Sequence, residues 1–466
     1  MTKIFLNRYI IDTTSPMAIS SGRREVGFDT QLARDANGLP YIPSTSFTGV
    51  WRHLAQDVLD EKVVKQWFGD LNLSNEVAGL PKLHIHHGLL LDGQGKVVLG
   101  LLPKLRLEED KLLQRLLDVR PHYRDHVRIN DRGVATEYGK FDKILLPKGI
   151  RFCVDIRWQG DESHEESWLE LQKLLSHPHF ALGSSTRNGF GRFKIVATLS
   201  EKLDLEGNPG AGEQLVKFIK RSDLPVETEL IQNNQPAFAT LELSALDVWR
   251  CGKGSRPLGE ASEHTDSFVY SEPYVRWEGT RAIWEEKPQV VLCGSSIKGI
   301  LAHRLAYHYR RLTNQFADSE MMVGVKHANW QQRPDELRDL LGDDSQVEGN
   351  QLAGSLIVED VVINKVKPQI RTHTSIDRFT GGVRFGALYS EEVLWQPDFK
   401  LKLHVVPNTR ITSQLRDALA ATLEDLKEGL LPLGAGSGRG NSLVINKPNQ
   451  VWEIQWDQIG LREEIA

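Results

Sequence analysis

Two short stretches set small hydroxyl side chains ahead of a helical apolar pattern, an arrangement suited to receiving a phosphate. The first is Ile42–His53 (IPSTSFTGVWRH), with Ser44, Thr45 and Ser46 ahead of Gly49. The second, Leu292–His303 (LCGSSIKGILAH), repeats it with Ser295 and Ser296 ahead of Gly299. Ser and Thr are favoured at helix N-caps, where the hydroxyl accepts from otherwise unpaired backbone N–H groups. The remaining open amides and the positive end of the helix dipole attract an anion. The pattern therefore predicts two hydroxyl-capped helices. The first should run to about Phe68, with Phe47, Val50, Trp51, Leu54 and Val58 on one apolar stripe.

A second pair of motifs is rich in glycine. Ala181–Val196 (ALGSSTRNGFGRFKIV) and Leu431–Ile445 (LPLGAGSGRGNSLVI) surround Arg187, Arg192 and Arg439 with glycines. Glycine reaches positive φ and leaves room for a phosphate to approach backbone amides. Neither pair of motifs has the GxxxxGK[ST] spacing, which argues against a nucleotide triphosphatase, and no strand–loop–helix unit supports a dinucleotide fingerprint. Arg52, Lys298 and Arg304 fall on the two helices, and Arg124, Arg128 and Arg371 at two turn-rich hairpins in 120–156 and 371–405. Basic residues recurring at equivalent places suggest a track for a polyanion, suited to single-stranded nucleic acid read by backbone and shape. The candidate RNA-binding set is Ser44, Ser46, Arg52, Arg124, Arg128, Arg187, Arg192, Ser295, Ser296, Lys298, Arg304, Arg371 and Arg439. His84, His86 and His87 crowd one strand, but His87 opposes the other two and no further ligand cluster accompanies them, so no metal site is expected there.

These motifs recur in order, about 250 residues apart, which marks a tandem duplication. In each copy a strand (3–12; 238–249) leads through a polar loop to the helix. A second strand, a hairpin, a short helix and the glycine loop follow. The second polar loop, Cys251–Glu286, is longer than its counterpart. Turn and linker punctuation between 201 and 236 places a linker there, between a first domain (1–200) and a second (237–466). At 466 residues, 40% apolar and 26% charged, the chain is long enough for a core in each. A net charge of -5 excludes a globally basic nucleic-acid binder, so any such site is local. Cys153, Cys251 and Cys293 are too few and too scattered for a disulfide framework or a zinc site. With no signal-peptide block and no apolar run of about 20 residues, the expectation is a cytoplasmic protein without a membrane span.

The ordered combination of these motifs resembles the RAMP superfamily of CRISPR-associated proteins. It carries the IPSTSFTG helix start, the hairpin with DRGVATEYG and the loop LGSSTRNGFGRF. More closely, it is similar to backbone subunits of type III effector complexes, whose helix start is close to IPGSSLKGxLR. Two such domains in one chain resemble the fused backbone subunits of subtype III-D. The resemblance implies an α+β fold of tandem ferredoxin-like, RRM-related domains, each with a thumb-like β-hairpin. It further implies binding of guide CRISPR RNA, pairing with complementary target RNA and assembly with other effector subunits. In target-cleaving members an Asp ahead of the helix start is needed for metal-dependent cutting. Here the segment Gly27–Asp35 puts Asp29 at that position, with Gln31 in place of the family's Pro. The implied cofactor is Mg²⁺ or another divalent cation. In the second half both Asp266 and Glu272 are available, neither aligning cleanly, with Asp266 the preferred catalytic candidate.

Two other readings stay open: a non-catalytic RNA-binding scaffold, and an endoribonuclease that matures guide RNA, an activity that would call for a His general base. No aromatic pair of the RRM type is evident in the sequence.

Overall fold

The structure, a computed structural model, describes residues 3–23, 25, 29–70, 80–130, 134–204, 207–221, 235–259, 264–315, 334–343 and 352–462. In the first half, β1 (Lys3–Thr13) is followed by helices α1 (Ser44–Val58) and α2 (Glu61–Phe68). Short strands β2 (Leu83–Ile85) and β3 (Leu89–Leu90) and helices α3 (Lys104–Glu109) and α4 (Lys111–Leu116) come next. A hairpin of β4 (His122–Ile129) and β5 (Ala135–Leu145) leads to β6 (Arg151–Gly160), α5 (Glu165–Lys173) and β7 (Phe193–Leu203). The sheet runs β2–β6–β1–β7, all antiparallel, with β3 continuing beside β6 where β2 leaves off. This is the strand order of a ferredoxin-like sheet.

The second half builds the same order. It starts with β8 (Ala239–Ala245) and β9 (Val248–Trp249), then β10 (Ser271–Glu272) and a hairpin of β11 (Val275–Glu278) and β12 (Arg281–Trp284). Strand β13 (Gln289–Leu292) delivers the chain to α7 (Gly294–Leu312), followed by β14 (Leu356–Val358) and β15 (Val361–Ile363). Strands β16 (Pro368–His373) and β17 (Tyr389–Trp395) form the second long hairpin ahead of β18 (Asp398–Val405). Helix Ser413–Lys427 and strand Val444–Asn446 complete the sheet, ordered β14–β18–β8 and then 444–446.

Helix α1 faces the first sheet with Phe47, Trp51, Leu54 and Ala55, the spacing of one helical stripe. Trp51 and Trp67 join Trp158 and Trp168 in an aromatic cluster beneath it. The predicted single helix is broken: Leu59 is extended (φ -109°, ψ 162°), α2 restarts after Asp60, and Val58 is exposed. The apolar period continues across the break, so periodicity alone joins the two pieces.

Two expectations about loops change. Part of the stretch read as a linker is folded onto the first half. There α6 (Ala211–Lys220) packs Phe218 against Ile4, Leu6 and Leu203, while 222–234 lie outside the described residues. The polar loop Cys251–Glu286 is a strap. Its β11–β12 hairpin lies on the first half, where Val275 joins the apolar core and its N–H donates to the Lys148 carbonyl at 2.8 Å. Trp277 Nε1 donates to the Gly149 carbonyl at 2.7 Å, and the Arg151 guanidinium sits 4.3 Å from the Trp277 ring. Among the described residues no helix is long and apolar enough to cross a membrane.

Candidate nucleic-acid interface and its paired aspartates

The serines do not cap their helices. Pro43 and Cys293 hold the N-cap positions, which puts Ser44 at the first position of α1, Ser46 at its third, and Ser295 and Ser296 within the first turn of α7. The first amide of each helix is taken by a side chain arriving from the short connection between two neighbouring strands. The Ser44 N–H donates to His87 Nδ1 at 3.0 Å, and the Gly294 N–H donates to Asp360 Oδ1 at 2.8 Å. Ile42 bridges Gly88 just as Leu292 pairs Val361, so His87 and Asp360 are equivalent positions with different chemistry. The crowded histidine segment is thereby explained in part: His87 is a backbone acceptor. Among the described residues no group of three or more His, Cys, Asp or Glu is placed to hold a metal ion.

The two hairpins hold the candidate aspartates. Asp29 lies along the outer edge of β5: its N–H donates to Asp142 Oδ1 at 3.2 Å, and the Asp142 N–H donates to Asp29 Oδ2 at 3.3 Å. Thr30 extends the contact by accepting the Ile144 N–H at 3.0 Å. Gly27 and Phe28 of the same segment lie outside the described residues. Asp266 lies along the outer edge of β17 in the same way. Its N–H donates to the Ser390 carbonyl at 3.1 Å, and its Oδ2 accepts the Ser390 N–H at 2.7 Å. That backbone N–H, and then the Ser390 hydroxyl, hold the Asp266 carboxyl below its ordinary range. Both aspartates are exposed. Glu272, the other acidic candidate, is buried and bonded to Arg124, which separates it from Asp266.

The glycine loops adopt one form. Each is a single 3₁₀ turn, Thr186–Asn188 and Ser437–Arg439, flanked by left-handed residues: Ser185 (φ 58°) and Gly189 (φ 93°), Gly436 (φ 79°) and Gly440 (φ 80°). Their surroundings differ. The first loop packs under the start of α7, where a Cβ on Gly189 would meet the Asp360 amide nitrogen at 2.8 Å. The second loop is exposed from Ser437 to Gly440.

The proposed basic track is divided by the structure. Arg124 is not on a surface. Its guanidinium is bonded to Glu272 (Nη2–Oε2, 2.9 Å) and Asp360 (Nη2–Oδ2, 2.6 Å) between side chains 1%, 5% and 6% exposed. Burial pushes the Glu272 carboxyl up, but the Arg124 charge and the His122 hydrogen bond overcome it and hold Glu272 below its ordinary range. Lys298 is buried and donates to the Leu356 carbonyl at 3.0 Å. Arg304 is bonded to Asp425, which also takes His308 Nε2 at 2.6 Å. Arg52 donates to the Gly69 carbonyl at 3.1 Å, closing the end of α2, and Arg192 pairs across the seam with Glu359 at 2.8 Å. These five do structural work. Arg128 is exposed on β4, Arg187 is half-buried near Asp57, and Arg371 meets Asp247 at 3.4 Å. Arg439, about half exposed, bonds the Tyr389 hydroxyl on the second hairpin. A track remains, but it is confined to the hairpins and the glycine loops.

An α+β protein with ferredoxin-like sheets, long hairpins and exposed basic loops is the class that this fold and site define. The chain belongs to the RAMP superfamily, which matches residues 10–194 and 288–444, well over half the chain. Membership implies a CRISPR-associated RNA-binding subunit. No curated protein matches the chain.

Proposed function

We propose that the chain is a CRISPR RNA-binding backbone subunit of a type III effector complex, two backbone domains fused, that positions complementary target RNA and cleaves it at Asp29 and Asp266. One observation carries the reading. Two aspartates that do not align in sequence are held against the outer strand of equivalent hairpins by the same carboxylate-to-backbone hydrogen bond. A carboxylate in that place can take the proton of a target 2′-hydroxyl as its oxygen attacks the adjacent phosphate. The bond from phosphorus to the next nucleotide's 5′-oxygen breaks, that oxygen takes a proton from water, and the products are a 2′,3′-cyclic phosphate and a 5′-hydroxyl. The donors suit a hard divalent cation such as Mg²⁺, which accepts one or two carboxylates and completes its shell with phosphate and water. Asp29 with Asp142 would supply two such carboxylates, Asp266 only one; the ion would contribute charge neutralisation at the phosphate. The hairpins would act as thumbs that space the guide–target duplex.

The test is cleavage of a labelled RNA complementary to the bound guide by the reconstituted complex, with Mg²⁺, with EDTA and with Asp29→Ala. Loss of one product in the variant, with guide and target still bound, is the expected result. An unchanged band pattern makes the chain a scaffold. Cleavage of free repeat RNA without guide or partners makes it a processing enzyme.

A further inference from the structure

The hairpins build something for which the sequence gives no sign: two stacked pairs of aromatic rings. In the first, His126 of β4 lies opposite Phe141 of β5, and the rings stack with centroids 4.9 Å apart and planes 9° apart. Phe190, from the first glycine loop, backs His126 edge-on at 6.1 Å, and the Arg124 guanidinium lies 4.7 Å from the Phe190 ring. In the second, His373 of β16 lies opposite Tyr389 of β17, stacked at 5.0 Å and 23°. His373 Nε2 is fixed on Glu391 Oε1 at 2.8 Å, and Arg439 reaches Tyr389 from the second glycine loop. In both pairs the histidine is inside and the larger ring outside: Phe141 is 41% and Tyr389 37% exposed.

The position of each outer ring is as informative as its exposure. Phe141 immediately precedes Asp142, and Tyr389 immediately precedes Ser390, the two residues whose N–H groups hold Asp29 and Asp266. Neighbouring strand residues differ freely between the halves (Asp142 against Ser390, Lys143 against Glu391), yet both keep a histidine-backed ring at this one register. A ring held by a parallel neighbour has little conformational freedom left to lose on binding, and each outer ring keeps more than a third of its surface exposed to a flat partner. At Tyr389 the Arg439 guanidinium also lies over the ring, 6.0 Å from its centroid, beside any base stacked there. Burial, with the Arg124 charge, pushes the His126 imidazole down to about 4, so the inner ring is neutral near pH 7.

We infer that Phe141 and Tyr389 are nucleobase-stacking platforms, each taking one base of the bound RNA beside the aspartate of its own half. Stacking is tolerant of base identity because every base has a π face, which suits a protein that must carry guides of any sequence. The inference rests on the RNA-binding reading above and adds residues that position nucleotides rather than react with them.

The experiment uses the full chain bound to guide RNA carrying 5-iodouridine, with photo-crosslinked peptides mapped by mass spectrometry and affinity measured across a salt series. Adducts are expected at Phe141 and Tyr389. Phe141→Ala and Tyr389→Ala should each weaken RNA binding by about 5- to 100-fold with an unchanged salt slope, while Phe141→Tyr and Tyr389→Phe retain affinity. A change in salt slope would mean that the alanine variants disturb the neighbouring cations instead, and would overturn the inference. So would full affinity in both alanine variants, or adducts only at other aromatic residues. If the wild-type chain binds no guide RNA, the RNA-binding reading itself falls; if it binds and only the alanine variants are silent, this inference alone falls.

Discussion

Arg124 and Glu272, 148 residues apart in the chain, are joined by two hydrogen bonds inside the seam between the halves, and the same guanidinium reaches Asp360. Removing the one cation would strand two carboxylates away from water. Arg124→Met is expected to cost about 3–5 kcal/mol, because an unpaired buried charge costs far more than the pair gains. The triple variant Arg124→Met, Glu272→Gln, Asp360→Asn should recover much of that loss. Denaturant midpoints of the two variants check this, and equal midpoints would contradict it.

Asp266 and Glu272 lie six positions apart and are expected to fail differently. Asp266→Ala deletes an exposed carboxylate whose hydrogen bonds to Ser390 compete with water, so the fold should persist while one cleavage product is lost. Glu272→Ala uncovers Arg124 and should lower the unfolding midpoint with no product selectively lost. Product patterns and melting curves, measured side by side, separate the two. A melting loss for Asp266→Ala as large as for Glu272→Ala would count against its assignment.

The difference between these acids marks where the sequence stops being readable. Repeated apolar patterns around Ile42–His53 and Leu292–His303 place the helices and, with the strands, the sheets, because those signals are local. Arg124 reads as a surface cation since its partners are 148 and 236 residues away. Ser44 and Ser295 read as caps because a hydroxyl ahead of an apolar run is the local signal. The acceptors used instead, His87 and Asp360, come from the short connections between strands (β2 to β3, β14 to β15) that sequence cannot set beside the helix start. Asp266 escapes alignment because the strap at 275–284, which belongs to the packing of the first half, is inserted between it and α7. The His126–Phe141 and His373–Tyr389 stacks depend on cross-strand register, set by hairpin turns that the sequence leaves open.

Arg439 should behave as a phosphate contact and Lys298 should not. The first is about half exposed beside the second hairpin; the second is buried on the Leu356 carbonyl. Arg439→Ala is expected to weaken RNA binding uniformly across guide sequences and to reduce the salt slope by about 0.7, the value for one contact on a single strand. Lys298→Met should leave the slope unchanged and show any effect in thermal stability. A titration of affinity against salt concentration decides both, and an unaltered slope for Arg439→Ala removes it from the track.

Acid should loosen the seam before it titrates Glu359 and Glu272, both held below the ordinary carboxylate range. His177 and His404 line a cavity of about 470 Å³ between the halves, with Arg192, Glu359 and Lys402 on the same wall. The His179 ring packs behind them, 4.7 Å from that of His177 and 6.1 Å from that of His404. Burial pushes His177 down to about 4 and His179 to about 2, and it pushes His404 down as well, although its hydrogen bond to Glu359 works the other way. In the unfolded chain each imidazole takes its proton near pH 6.5. The unfolded state therefore binds more protons below that pH, and stability, full above pH 6.5, falls as pH drops towards 4. The loss is up to about 1.4 kcal/mol per pH unit for each histidine. Glu359 is held below its ordinary range once the His404 hydrogen bond and the Arg192 charge outweigh its burial, so its own loss belongs to lower pH. Urea midpoints between pH 7.5 and 4.5 should slope downward for the wild type and flatten for the His177→Gln, His179→Gln double variant. Equal slopes in the two proteins would place the acid sensitivity elsewhere in the chain.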